Sequence, residues 1–190
     1  GAMSVPFREA AVAFECEGEK LIGIVAAPDA PKALGVVIVV GGPQYRAGSH
    51  RQFTLLARRL ALAGFAILRF DYRGMGDSGG APLTFEHVGP DIRAAIDTLI
   101  AQCPVIRRVA LWGLCDAASA AMMYAPTDSR VAALTLVNPW ARGENTQARA
   151  HLKHYYVRRV LSRDFWRKVF SGRFSPSQAG AGLRENISRA

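Results

Sequence analysis

Gly113-Leu114-Cys115-Asp116-Ala117 follows directly on the apolar run Val109-Ala110-Leu111-Trp112 and leads into Ala118, Ser119, Ala120 and Ala121. A strand that turns sharply into a helix, with a nucleophile-capable side chain at the turn, is the setting of the G-x-S-x-G pattern. Here cysteine holds the serine position and alanine the last glycine. Gly113 lets the backbone bend, and Ala117 lets helix and strand approach closely. At a helix N-terminus, unpaired N–H groups and the macrodipole favour a thiolate. The chemistry such a group performs is attack on a carbonyl carbon, leaving the acyl group on sulfur. The charge that develops on oxygen then needs N–H donors. The N–H of Asp116 is one. The Gly41-Gly42-Pro43 turn offers another at Gly42, or at Gln44 if the loop folds farther over, because Pro43 has no N–H. The Asp116 carboxylate disfavours a thiolate unless it points away. The plain alternative is a buried cysteine acting as a small hydrophobe.

Other side chains compete for a place in this chemistry. Gly76-Asp77-Ser78-Gly79-Gly80 spells the serine motif of trypsin-like proteases and fits G-x-S-x-G as well. No strand runs directly into it and the chain is not all-β, so Ser78 is expected to brace its loop. Arg46, Arg51 and Arg73 approach the same strand ends, where they hold an anionic substrate or pair with Asp71 or Asp77. For Asp71 and Arg73 a loop brace is the favoured reading. Tyr45, Arg46, His50 and His154 are candidate substrate-binding residues, with His50 beside the Gly41-Gly42-Pro43 loop. His87 and His151 read as surface residues. Cys16, Cys103 and Cys115 are odd in number and widely spaced, with no metal-ligand pattern. No metal and no cofactor are expected, and the location expected is a reducing cytoplasm.

These residues need elements to position them. Val12–Glu17 and Leu21–Ala26 read as a hairpin across Gly18-Glu19. Leu34–Val40 is a continuous apolar run, the mark of a strand buried on both faces. Ser49 is placed to cap a helix reaching Ala63, with Gly64 as its stop. Phe65–Phe70 is the next strand, Asp91–Ala101 a helix, Val109–Trp112 a strand, Cys115–Tyr124 a helix and Val131–Val137 another buried strand. Strands alternating with helices after a hairpin imply an α/β fold with a mostly parallel sheet covered on both faces. Sites in such sheets lie at the carboxyl ends of the strands.

The chain of 190 residues is half hydrophobic, enough for one real core, and contains no apolar stretch long enough to span a membrane. Gly1-Ala2-Met3 reads as a cloning remnant. The net charge of +9 is concentrated at one end. Residues 1–141 carry 13 Lys and Arg against 12 Asp and Glu, whereas residues 142–190 carry 11 against 3. Tyr155, Tyr156, Phe165 and Trp166 interleave with Arg158, Arg159, Arg163 and Arg167, which implies basic amphipathic helices. Such a face meets an anionic substrate, an acidic partner or a membrane surface, or is simply solvated. Nucleic acid is not expected as a partner. Residues 174–190 read as a loose tail.

Asp71-Tyr72-Arg73-Gly74-Met75-Gly76-Asp77-Ser78 matches the D-x-R-G-x-G-x-S loop that follows the fourth strand in α/β-hydrolases. With Gly41–Phe53, Trp112–Ala120, Asn138-Pro139-Trp140 and Lys153-His154-Tyr155-Tyr156, the chain resembles the exosortase A system-associated hydrolases. These belong to bacteria that make exopolysaccharide. The resemblance implies a hydrolase core over 4–141 and a helical cap over 142–173. It implies a hydrolase of esters or thioesters with Cys115 as nucleophile, similar in that respect to the dienelactone hydrolases. It also implies two further strands carrying an acid and the catalytic histidine. The chain ends before either, so it is expected to be an N-terminal piece that needs a complementing C-terminal segment. None of its own histidines stands where the fold places the base. The reading from another class is a non-catalytic binding module that docks an anionic ligand through its basic cap.

Overall fold

Glu17 and Gly18 both have positive φ, the conformation a two-residue hairpin turn requires. They join β1 (Phe7–Cys16) to β2 (Glu19–Pro28), pairing Cys16 with Glu19 at the turn and Phe7 with Pro28 at the far end. The strands start or end beyond the expected Val12–Glu17 and Leu21–Ala26, β1 beginning at Phe7 and β2 running from Glu19 to Pro28, so the turn is Glu17-Gly18 and not the expected Gly18-Glu19. The structure, a computed structural model, describes residues 6–41 and 44–139. The expected cap over 142–173 and tail over 174–190 lie outside the described residues.

Four further strands complete the described sheet: β3 (Leu34–Val39), β4 (Ile67–Asp71), β5 (Arg108–Leu114) and β6 (Val131–Val137). The strand order is β1-β2-β4-β3-β5-β6. β1 and β4 lie antiparallel to β2, whereas β3 runs parallel to β4 and β5, and β5 parallel to β6. This is the mostly parallel α/β sheet with an N-terminal hairpin that the alternation of patterns implied. Because β3 to β6 point one way, the loops after all four open at one edge of the sheet.

The alternation of side chains along each strand feeds two cores. Val36, Ile38 and Ile67 face α1 (Gln52–Leu62), which buries Phe53, Ala57 and Ala61 against them. Trp112 meets Phe53 edge-on at 5.4 Å. Val37, Val39, Leu68 and Phe70 face the other way, toward α2 (Gly89–Gln102) and α3 (Asp116–Tyr124), where Ile92, Ile96, Leu99 and Ala121 are fully buried. The β3 sequence lacks alternation because both its faces are covered.

Two expectations need correction. Ser49 does not cap a helix: it opens a single 3-10 turn, Ser49–Arg51, and its side chain makes no capping bond. Instead the Ala47 carbonyl accepts from the N–H groups of Phe53 and Thr54, so backbone does the work a side chain was expected to do. β6, read as a strand buried on both faces, is largely exposed. Leu134 and Val137 are 37% and 39% exposed. Among the described residues β6 pairs with β5 alone, and an apolar run cannot say what covers it. Within the same set of residues, no helix is long and apolar enough to cross a membrane.

Candidate active site

Cys115 sits between β5 and α3 with φ 54° and ψ −118°, a conformation that L-residues rarely adopt. Holding a non-glycine residue there costs about 1–3 kcal/mol, and the surrounding structure must impose it. Two glycines make that possible. A Cβ on Gly113 would lie 2.5 Å from the Ala117 carbonyl, and one on Gly41 would lie 2.5 Å from the Ala117 nitrogen. The end of β5, the end of β3 and the first turn of α3 therefore close on one another with no room for a side chain. The sharp turn expected at Gly113–Ala117 is present, with Cys115 at its apex.

The backbone around the thiol is fixed by hydrogen bonds. The Cys115 N–H donates to the Val137 carbonyl at 2.9 Å, and its own carbonyl accepts from Ala118 and Ser119. The side-chain amide of Asn138 donates to Cys115 Sγ at 3.5 Å. Asn138 follows directly on β6 and also has a positive φ. Reading residue types along the chain gave it no role; its position just past the carboxyl end of a strand was the available signal. Cys115 is partly exposed, whereas Cys16 and Cys103 are buried, and burial pushes both of those thiols up. Asp116 opens α3 directly after Cys115. Burial, followed by the Asp116 charge, raises the Tyr72 phenol.

The loop leaving β3 carries several candidates. The Gln44 side chain accepts from Gln52 at 3.1 Å, and the exposed Tyr45 stands 6.0 Å from the Arg46 guanidinium. His50 is exposed in the 3-10 turn with φ 50°. Gly42 and His154 lie outside the described residues.

Of the two roles expected for Arg46, holding an anionic substrate or pairing with Asp71 or Asp77, the structure has the second: its guanidinium is taken by both carboxylates, Asp77 at 2.7 Å. Burial pulls the Arg46 guanidinium down, yet the hydrogen bonds to Asp77 and Asp71 outweigh it and hold it charged. The Asp71–Arg73 brace does not form. Arg73 donates instead to Asp91, from its backbone N–H at 2.8 Å and its guanidinium at 2.8–3.1 Å, and also to Glu17. Alternation along β4 sends Asp71 to the α1 side of the sheet, while the chain after Tyr72 turns toward the start of α2. Asp91, read only as an early helix residue, is fully buried there. Ser78 does brace its loop: its hydroxyl donates to the Asp71 carbonyl at 2.6 Å and accepts from the Ile22 N–H at 2.9 Å. His87 is on the surface, as expected, 2.9 Å from Thr84.

Among the described residues no group of three or more His, Cys, Asp or Glu side chains could hold a metal ion. What the arrangement offers is a thiol on a rigid turn, an amide donor on its sulfur and a helix N-terminus behind it.

This architecture is shared with solved hydrolases. The esterase Pf2001 of Pyrococcus furiosus is 22% identical with a TM-score of 0.66, over 76% of this chain and 54% of that one. The alpha/beta hydrolase GrgF of Penicillium sp. sh18 is 23% identical with a TM-score of 0.64, over 82% and 55%. Est1E of Butyrivibrio proteoclasticus, solved with ferulic acid bound, is 22% identical with a TM-score of 0.60, over 68% and 53%. The chain thus spans about half the length of the solved proteins it resembles. No curated protein matches it. The sequence pattern of the alpha/beta hydrolase family matches residues 36–186, and with the sheet order and the turn at Cys115 it establishes that the chain belongs to the alpha/beta hydrolase family.

Proposed function

We propose that this chain is the nucleophile-bearing part of a hydrolase that cleaves an ester, thioester or related acyl substrate through Cys115. The observation that carries the reading is the strained turn at Cys115, held by Gly113, Gly41 and Ala117 with a side-chain amide on the sulfur. A protein keeps a partly exposed cysteine in such a conformation at some cost, and presenting its sulfur to a ligand is the reason that fits. In the proposed reaction the thiolate attacks the acyl carbon, forming a C–S bond while the carbonyl electrons move to oxygen. The N–H of Asp116 and a loop N–H at Gln44 or Gly42 stabilise that charge. Collapse breaks the bond to the leaving group, which takes a proton from the conjugate acid of the base that first accepted the thiol proton. Water, giving a proton to the same base, then attacks the acyl carbon; the C–S bond breaks, the carboxylic acid leaves and the sulfur takes the proton back. The base is expected in the part of the fold that the half-length match leaves out.

Similarity of the motifs around Gly41, Asp71, Cys115 and Asn138 to exosortase A system-associated hydrolases supports a finer reading, a bacterial cytoplasmic enzyme linked to exopolysaccharide systems. A complementing segment fits the exposed β6. The charge concentrated in residues 142–190 supports the second reading, a binding module for an anionic ligand or surface.

Incubation with a short-chain nitrophenyl ester, followed by peptide mass mapping, tests the proposal. An acyl group on Cys115, absent in Cys115→Ala, is expected, and acylation elsewhere overturns it. Iodoacetamide near neutral pH is expected to label Cys115 before Cys16 and Cys103, whose burial raises their thiols.

A further inference from the structure

β4 places two charged side chains, Arg69 and Asp71, on the sheet face otherwise packed by Val36, Ile38 and Ile67 against α1. Both are buried: Asp71 is fully enclosed and Arg69 is 7% exposed. A charge in an apolar layer is costly, and an apolar pair would serve the core as well or better. The two side chains converge on one residue of the loop leaving β3. Asp71 accepts the Arg46 backbone N–H at 2.6 Å and its guanidinium as well. Arg69 donates to the Arg46 carbonyl at 3.3 Å and to Glu9 at 3.3 Å, with one further N–H left without a partner. Main-chain donor and acceptor of Arg46 are thus both held by buried groups two residues apart on one strand. The same Asp71 carboxylate accepts the Asp77 N–H at 3.2 Å, and a Cβ on Gly76 would run into it. At its other end the loop is pinned by Gly41 against the first turn of α3.

We propose that Asp71 and Arg69 are positioning residues, which fix residues 44–48 through Arg46 so that the Gln44 backbone N–H points at the acyl oxygen during attack by Cys115. This rests on the reading of Cys115 as an acyl-accepting nucleophile. The loop is clamped at Gly41 and at Arg46, and Gln44 lies between the clamps. A donor that must meet a developing charge within a few tenths of an ångström needs such a frame. The guanidinium of Arg46 is the bridge to Asp77, which ties the loop after β4 into the same frame.

The test separates chemistry that needs the donor from chemistry that does not. Acylation of Cys115 by nitrophenyl acetate builds charge on the carbonyl oxygen, and its leaving group needs no proton. Alkylation of the same thiol by iodoacetamide builds no such charge. In Asp71→Asn and in Arg69→Met the acylation rate constant is expected to fall at least tenfold, with alkylation within about twofold of the parent chain. Arg69→Met keeps the Asp71 contacts and decides the matter if Asp71→Asn does not fold. Equal acylation in both variants and the parent overturns the proposal, and so does an equal fall in both reactions, which would mean general disruption. If the parent chain takes no acyl group at Cys115, the functional reading falls by itself. The clamp is then read by amide hydrogen exchange over residues 44–48, expected to speed up in Asp71→Asn while α3 is unchanged; unchanged exchange in that loop overturns it.

Discussion

The turn at Cys115 and the belt of charges after β4 lie at the same edge of the sheet, and they are made rigid by opposite means. At the turn, shape does everything. Gly113, Gly41 and Ala117 bring three backbone segments together so closely that Cys115 has one conformation left to it. Around β4, charge does the work: Arg46 with Asp71 and Asp77, Arg73 with Asp91 and Glu17, and Arg69 with Glu9. A site made of close approaches tolerates no added volume and is indifferent to salt. A site made of buried ion pairs tolerates modest changes of shape and fails when one partner loses its charge. Cys115 thus sits on the first kind of support, and the loops around it are tied by the second.

Gly113→Val strikes the turn hardest. Its side chain would meet the Ala117 backbone, which cannot swing aside, so a loss of more than about 5 kcal/mol and of the cooperative thermal transition is expected. A near-normal melting temperature would show that the turn relaxes easily and that shape is not its support.

Asp91→Asn strikes the belt. The Asp91 side chain is fully enclosed and Arg73 12% exposed, so the variant leaves a largely buried guanidinium with only the exposed Glu17 as a charge partner. Urea unfolding should report a loss of about 3–5 kcal/mol. A loss below 1 kcal/mol would place the belt among surface pairs.

Acid offers a cut outside both regions. Arg130 and Tyr124 hold the Asp128 carboxyl well below the usual carboxylate range. A carboxyl depressed in the folded state contributes stability above its unfolded pKa and loses it as pH falls through the folded value. The melting temperature is expected to fall below about pH 5, and Asp128→Asn to flatten that fall while costing about 1–3 kcal/mol at neutral pH. An unchanged acid slope in the variant would assign the sensitivity to the belt instead.

The smallest effect belongs to Arg8 and Asp29, 3.6 Å apart with side chains 87% and 72% exposed. Asp29→Ala should change stability by less than about 0.5 kcal/mol in a thermal melt. A larger change would mean that exposure does not set the worth of these pairs.

Much of this was legible in the order of residues. The apolar run at β3 implied a strand covered on both faces, and its neighbours show why: α1 on one side, α2 and α3 on the other. Gly113-Leu114-Cys115-Asp116-Ala117 implied a tight turn because backbone geometry is a local property, decided within a few residues. The role of Ser78 as a brace was also local enough to read. The choice among the charged pairs was not. Arg73 is two residues from Asp71 and binds Asp91, while Asp71 binds Arg46, 25 positions earlier. Nearness in sequence suggested the wrong pair because it carries no information about which face of a strand a side chain takes or where the next loop heads.

The sequence by itself determined the alternation of strands and helices, the hairpin, and the turn that lifts Cys115 out of the sheet, since each follows from periodicity or from the space a glycine leaves. The tertiary structure alone decided which carboxylate holds which arginine, that the Ala47 carbonyl rather than the Ser49 hydroxyl serves the start of α1, and that Asn138 reaches the sulfur. It also decided that, among the described residues, β6 pairs with β5 alone and is not covered on both faces as β3 is. The reason is common to all four. Periodicity describes one element at a time, whereas pairing, capping and coverage depend on what another element places beside it.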